Sequence, residues 1–293
     1  MNILSLFDGM SCGQIALNRA GIQYSGYFAS EIEPHSIAIT QNKYPDTVQL
    51  GPVEAVYARD LPKIDLLIGG SPCQGFSSAG KGLNFDDPRS KLFFEFVRLL
   101  YELKPEYFLL ENVRMKKEHQ DIISEYLGVQ PVAINSNLVS AQNRLRLYWT
   151  NIDVAQPKDE QIFIEDILEK NVSEKYWLKE RNTDLLLKKV DISNAPDIAI
   201  IDVYNKKVKL DRKCMTLSHP CHNATRLLVS GRIRKLTPIE CERLQNVPDD
   251  YTKGVADTHR YTMLGNGWTI NVIAHIISPL TRGIIVDQEC LSA

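Results

Sequence analysis

Apolar and polar positions alternate in blocks along the first half of the chain. "NILSLF" is a short apolar run that stops at the polar, glycine-bearing "DGMSCG". The segment "GQIALNRAG" that follows spaces its apolar residues as a helix does and closes on Gly21, a residue suited to the left-handed turn that ends a helix. "YSGYFASE" reads as a second strand and "PHSIAITQNKY" as a helix; "IDLLIGG", "RSKLFFEFVRLLYELKP" and "EYFLLENV" read as strand, helix and strand. "PVAIN" and "RLRLYWTNI" add two more strands. Strands alternating with helices imply an α/β domain with a mostly parallel sheet covered on both faces. The polar pieces "FDGMSCG", "SEIE", "GGSPCQ" and "ENVR" each stand where a strand ends. In open α/β sheets ligands bind beside those ends, so the four pieces should converge on one crevice.

Beyond Asn151 the rhythm breaks into shorter, more charged and less regular segments, and "YTMLGNGWTINVIAHIISPL" then returns to a glycine loop and an apolar helix. The pattern divides the chain into a larger domain, residues 1–152 plus 258–293, and a smaller one, residues 153–257. At 293 residues and 44% hydrophobic content the chain can bury a full core. No run reaches the roughly 18 apolar residues of a membrane span, and "MNILSLFDGM" lacks the basic start of a signal peptide. A cytoplasmic protein is expected. Six cysteines without a CxxC pair fit free thiols in a reducing compartment. The net charge of −2 gives no global attraction to polyanions, but Tyr204 to Lys235 carries nine Lys or Arg against the single acid Asp211. That local excess is either a solvated loop or a nucleic-acid face.

Candidate chemistry sits in the strand-end pieces. Pro72 fixes the approach to Cys73, Gly69 and Gly70 permit close contact with a ligand, and "QGFSSAGKGLNFDDPRS" supplies a long segment able to close over a substrate. A thiol so placed is a candidate nucleophile, although a lone cysteine is more often inert and buried. Glu111 is a carboxyl flanked by apolar strand residues, where burial would keep a proton available near neutrality. Arg144 and Arg146 alternate along one strand and should share a face suited to an anionic or carbonyl-bearing ligand. "LFDGMSCG" is either a cofactor loop or a plain tight turn, and Glu31 either accepts from ribose hydroxyls or starts a helix as an exposed acid. The spacing in "CMTLSHPCH" matches no common zinc pattern, and no metal is expected.

Taken in order, FDGMSCG, SEIE, GGSPCQGFS, ENVR, QNRLR, RKLTPIECERLQ and GNGW closely resemble the motif series of the DNA cytosine-5 methyltransferases, from about Asn2 to Leu280. The resemblance implies a Rossmann-like methyltransferase fold that uses S-adenosylmethionine, with residues 153–257 as the target-recognition domain. Cys73 would add to ring carbon 6 of cytosine, Glu111 donate to ring nitrogen 3 and Arg146 bind the base carbonyl, with Arg144 in support. The donor site implied comprises Phe7, Asp8, Gly9, Ser11, Glu31, Ile32, Asp60, Gly70, Pro72, Leu92, Asn266, Gly267 and Trp268. The partner implied is double-stranded DNA with a flipped base, met by Ser77, Lys81, Arg89, Arg226, Arg232 and Arg234. A monomer acting in a bacterial or phage-infected cytosol is expected. One departure stands out: Pro52 takes the place where the family usually carries an acid that reads adenine, so either Asp60 substitutes or packing alone holds the base. A tRNA cytosine methyltransferase and a non-catalytic DNA-binding homologue are the competing readings.

Overall fold

The computed structural model describes residues 1–71, 88–218 and 225–281, with backbone alone at 88–90. Pro72, Cys73, Ser77, Lys81 and the Arg89 side chain lie outside the described residues, as do His219, Cys221 and His222 of the "CMTLSHPCH" run. The chain packs as two units. One comprises Met1–Ile134, Leu145–Gln156 and the chain from Val272; the other comprises Asn135–Arg144 and Pro157–Asn271.

The first unit is built on a sheet of β1 (Asn2–Leu6), β2 (Gly26–Ser30), β3 (Val48–Gln49), β4 (Leu66–Gly70), β5 (Tyr107–Val113), β6 (Val132–Asn135) and β7 (Leu145–Thr150). The strand order is β3-β2-β1-β4-β5-β7-β6. Neighbouring strands run parallel from β3 to β5, and β7 runs antiparallel to β5. The apolar runs of β1 and β4 are buried on both faces, as a covered parallel sheet requires. Helices α1 (Cys12–Ala20), α2 (Pro34–Lys43), α3 (Pro88–Leu103) and α4 (Lys117–Leu127) connect the strands. Gly21 ends α1 at φ 73°, the left-handed conformation expected of it.

Helix α3 seats Phe93, Phe96, Val97 and Leu99 at helical spacing on a core that includes Leu4, Leu67, Leu110 and Trp149. Burial of each phenyl ring stabilises the fold by roughly 1.5–3 kcal/mol. A side chain at Gly69 would stand 3.1 Å from the Phe96 ring and 3.2 Å from the Leu6 carbonyl oxygen. Gly69 therefore serves helix-to-sheet closure, and the ligand approach expected of it belongs elsewhere. Register aligns Leu6 with Ser30 and Gly69, and Gly70 with Glu111. The ends of β1, β2, β4 and β5 thus open on one edge, where the four polar pieces were expected to meet.

The second unit carries an antiparallel sheet of β8 (Ile198–Asp202), β9 (Lys207–Lys209), β10 (Thr225–Val229) and β11 (Arg232–Arg234) in the order β11-β10-β8-β9. Leu186, Val190, Ala199, Ile201, Leu228 and Ile233 form a small core of its own. Helix α6 (Glu180–Leu187) contributes Leu186 to it; α5 (Ile164–Ile167), α7 (Pro238–Leu244) and α8 (Asp257–Asn266) also belong to this unit, and α9 (Ile270–Ile277) follows. Helix α7 opens on a reciprocal cap in which Thr237 accepts from Glu240 N and Glu240 accepts from Thr237 N. Helix α8 packs on α7, so residues 258–271 group with this unit. No helix among the described residues is long and apolar enough to cross a membrane. Cys12, Cys214 and Cys241 are buried and not joined in disulfides.

Candidate active site

After β1 the backbone passes through left-handed φ at Phe7 (58°), Gly9 (60°) and Ser11 (59°). Such angles cost a non-glycine residue on the order of 1 kcal/mol or more, so the turn has to be held. It is held at its backbone: Asp8 N donates to Ser30 O at 3.1 Å, and Gly9 N donates to Glu31 Oε2 at 2.7 Å. Glu31 Oε1 accepts from Ile32 N at 2.8 Å and Glu33 N at 2.9 Å. Three N–H groups fix the carboxylate plane, and Oε2, with one partner, keeps a lone pair for an outside donor. Beside it the Ile32 side chain is 71% exposed, and the space a side chain at Gly9 would fill is open. An anchored carboxylate acceptor, an exposed apolar side chain and an open backbone turn together fit the ribose and base of a nucleoside-bearing donor.

The side chains of Asp8 and Ser11 turn inward, so a ligand contact by either residue falls to its backbone and not to its side chain. Asp8 accepts from Ser11 Oγ and, at 2.7 Å, from the Tyr27 hydroxyl. Ser11 Oγ in turn accepts from Gln14 Nε2 at 3.1 Å and Thr40 Oγ1 at 3.2 Å. Burial pushes the Asp8 pKa up to about 6 against the pull of these hydrogen bonds. The pair braces the turn from within. Leu92 is half-buried against the core, and Asp60 is exposed beside Arg59 at 3.9 Å. Pro52 accepts from Ala55 N at 3.0 Å and opens a single helical turn with Val53 buried beneath it, so the position that lost the acid now shapes the backbone.

At the ends of β5 and β7 the Glu111 carboxylate meets the Arg146 guanidinium, Nε to Oε1 at 3.0 Å, both largely buried. Register sets Val113 opposite Arg146, so the ion pair runs diagonally between the strands. Arg146 donates once more to Leu145 O at 3.0 Å. A guanidinium has five N–H groups, so others stay open to a base carbonyl. Asn112, buried between these residues and β4, donates from Nδ2 to Ser71 Oγ at 3.1 Å and Ser71 O at 3.3 Å. It ties β5 to the residue two before Cys73. The buried polar residue in an apolar strand was visible in "LLENVR", but its partner was not.

Arg144 falls outside the alternation of β7 that was expected to hold it with Arg146. It lies ahead of β7, buried in the second unit, and donates to Leu217 O at 2.7 Å, Gly267 O at 3.0 Å and Gly265 O at 3.2 Å. The expected glycine loop "GNGW" is also different: Gly265 and Asn266 complete α8, and Gly267 N donates to Met263 O at 2.7 Å. Only Gly267, Trp268 and Thr269 link α8 to α9, with Asn266 exposed and Trp268 buried.

A family model described as C-5 cytosine-specific DNA methylase matches residues 1–282. The chain belongs to that family. It is 28% identical to the type II methyltransferase M.NlaX of Neisseria lactamica, over 96% of each chain. It is also 28% identical to the orphan methyltransferase M.SPRI of Bacillus phage SPR, over 99% of each. Among solved structures its fold is like that of the S. pombe Dnmt2 methyltransferase, with TM-score 0.75 at 21% identity over 97% of this chain and 99% of the other. The Entamoeba histolytica methyltransferase EhMeth gives TM-score 0.71 at 18% identity over 97% and 98%.

For a DNA methylase the basic segment is the obvious phosphate face, and the structure disperses much of it. Arg234 is buried on Glu240 through two bonds of 2.6 and 2.7 Å, the two side chains 2% and 0% exposed, which removes it as a phosphate contact. Lys213 is buried and donates to Ser140 O at 3.1 Å, Asn137 O at 2.7 Å and Ile162 O at 2.5 Å, and burial lowers its pKa. Arg212 pairs with Glu165 at 2.9 Å and Lys209 with Asp211 at 2.9 Å. Arg232 forks onto Glu174 and stacks 4.2 Å over Trp177, leaving it exposed but occupied. Arg226 donates to Thr225 O at 2.8 Å, and partial burial lowers its pKa. Arg212 and Arg232 are exposed but paired with acids, whereas Lys206 on the β8–β9 turn and Lys207 at the start of β9 are exposed next to Tyr204, which is 85% exposed.

Proposed function

We propose that the protein methylates ring carbon 5 of cytosine in duplex DNA, with S-adenosylmethionine as donor and Cys73 as nucleophile. The observation that carries this reading is the Glu111–Arg146 ion pair at 3.0 Å beside the strand end that leads to Cys73. The family membership supports the reaction class; target recognition is assigned to residues 153–257 and catalysis to residues 1–152 and 258–293, although residues 135–144 and 258–271 pack with the second unit. The bacterial and phage relatives support action in a bacterial or phage-infected cytosol.

Ring carbon 5 of neutral cytosine is a poor nucleophile, so covalent addition at the neighbouring carbon splits one difficult step into two. The target base leaves the duplex stack at a cost of a few kcal/mol. The Cys73 thiolate forms a bond to ring carbon 6, and the electron pair of the 5,6 double bond is released toward carbon 5. Glu111, a carboxylate in the free protein, takes up a proton as the base enters and shares it with ring nitrogen 3, and Arg146 holds the carbonyl through its remaining N–H groups. Bound at Gly9, Glu31 and Ile32, S-adenosylmethionine would supply an electrophilic sulfonium methyl for carbon 5; for Asn266 to Trp268 the motif order supports a donor contact. Loss of the carbon 5 proton to a base, water included, then restores the double bond and expels the Cys73 thiolate, and ring nitrogen 3 returns its proton to Glu111.

The test is incubation of the full chain with donor carrying a labelled methyl group and either duplex DNA or tRNA. Label in duplex DNA is expected. Label confined to tRNA supports the RNA reading instead, and label in neither supports a non-catalytic DNA-binding homologue.

A further inference from the structure

Gln245 follows α7, is 0% exposed, and has its side-chain amide fully engaged. Nε2 donates to Leu264 O at 2.7 Å and Gly267 O at 3.2 Å. Oε1 accepts from Thr269 Oγ1 at 2.8 Å and Gln142 Nε2 at 3.2 Å. Its own carbonyl accepts from Ile270 N at 2.9 Å, at the start of α9. Arg144 adds its bonds to Gly265 O and Gly267 O. The backbone on both sides of Asn266 and Trp268 is therefore tied to side chains from distant parts of the same unit.

Gln142 and Arg144 stand two residues apart and grip Leu217 as well: Leu217 N donates to Gln142 Oε1 at 2.7 Å, and Leu217 O accepts from Arg144. A helix end that only had to stop would satisfy its last carbonyls with water or a glycine turn. A buried amide paired at every position instead specifies one geometry, because any other leaves a buried group unpaired.

We propose that Gln245, supported by Gln142 and Arg144, is a positioning residue for methyl-donor binding: it holds the 265–269 turn in the one shape that presents Asn266 and Trp268 to the donor. This rests on the reading of Asn266 and Trp268 as donor contacts. Gln245 touches neither donor nor base in this scheme, and acts through the turn.

Three variants of the full chain test it. Gln245→Met removes the amide at similar volume, Gln245→Asn keeps the amide but withdraws it by one methylene, and Thr269→Val removes one partner. S-adenosylhomocysteine affinity is measured by calorimetry, with donor KM, kcat, duplex affinity and thermal unfolding measured alongside. Gln245→Met removes all four side-chain hydrogen bonds and Gln245→Asn displaces them; a turn that keeps its binding shape only about a tenth to a hundredth of the time gives roughly ten- to hundredfold weaker S-adenosylhomocysteine binding in both variants, with a matching rise in donor KM. Thr269→Val shifts both in the same direction by less, and kcat at saturating donor and duplex affinity stay as in the parent. If Gln245→Met does not fold, Gln245→Asn and Thr269→Val carry the comparison. Unchanged S-adenosylhomocysteine affinity in folded variants overturns the proposal. So does a fall of duplex affinity in step with donor affinity in Thr269→Val, the signature of an ordinary core residue. A parent protein that binds no S-adenosylhomocysteine overturns the donor reading itself.

Discussion

Asp8→Asn isolates the most perturbed carboxyl next to the donor turn. Asp8 is held at a pKa of about 6 against an ordinary 3.8, with burial the largest cause and the nearby Glu31 charge adding to it. For an acid whose folded pKa is raised, the native state keeps the proton longer than the unfolded chain. Stability therefore falls as pH rises from about 4 through about 6, and the loss is complete above that window. A gap of roughly two pH units at 1.36 kcal/mol each corresponds to about 3 kcal/mol at neutral pH and above. Asparagine removes the charge at every pH, and whatever it gains or loses in bonding to Tyr27 and Ser11 does not titrate. The stability of Asp8→Asn relative to the parent should then rise by about 1.5 kcal/mol between about pH 5 and about pH 8. Urea unfolding of both proteins across that range measures it, and groups common to the two cancel. A relative stability that stays level, or falls with pH, refutes the assignment of a buried, proton-retaining Asp8.

Three further outcomes follow from the geometry. Glu240→Leu strands the buried Arg234 charge and should cost about 3–5 kcal/mol, most of it recovered in Arg234→Met/Glu240→Leu; urea unfolding that finds no recovery contradicts a paired buried charge. Lys206→Ala/Lys207→Ala should lower the slope of log affinity for duplex DNA against log salt by about 2, while Arg234→Met leaves it alone. An unchanged slope in the lysine pair takes the β8–β9 turn off the DNA face. Asn112→Ala unties Ser71 from β5 and should lower kcat roughly ten- to hundredfold through misplacement of the nucleophile, with donor KM unchanged; steady-state kinetics showing the loss in donor KM instead contradicts that role.

The sheet was legible because its strands are unbroken apolar runs closed by polar, glycine-bearing pieces, a pattern fixed by local chemistry. The alignment of "DGMSCG", "SEIE" and "ENVR" on one edge followed from the parallel order of β1, β2, β4 and β5. Long-range pairing was not legible. The charge count over Tyr204 to Lys235 could not show that Glu165, Glu174 and Glu240, outside that window, neutralise Arg212, Arg232 and Arg234. Strand alternation put Arg144 beside Arg146, but β7 begins at Leu145, so the alternation does not extend to Arg144 and its guanidinium reaches Leu217 and Gly267 instead. Asp8 and Ser11 were polar letters in a ligand turn, and only the partners Tyr27, Gln14 and Thr40 reveal that they face inward.

The central claim is a transient bond between Cys73 sulfur and ring carbon 6 of cytosine. Duplex DNA in which 5-fluorocytosine replaces the target blocks the last step, because fluorine cannot leave as a proton does, and the adduct accumulates. Mass spectrometry of the digested complex should find the nucleotide on the peptide containing Cys73 when S-adenosylmethionine is present, and none with Cys73→Ser. An adduct on another residue, or full methyl transfer by Cys73→Ser, contradicts the account.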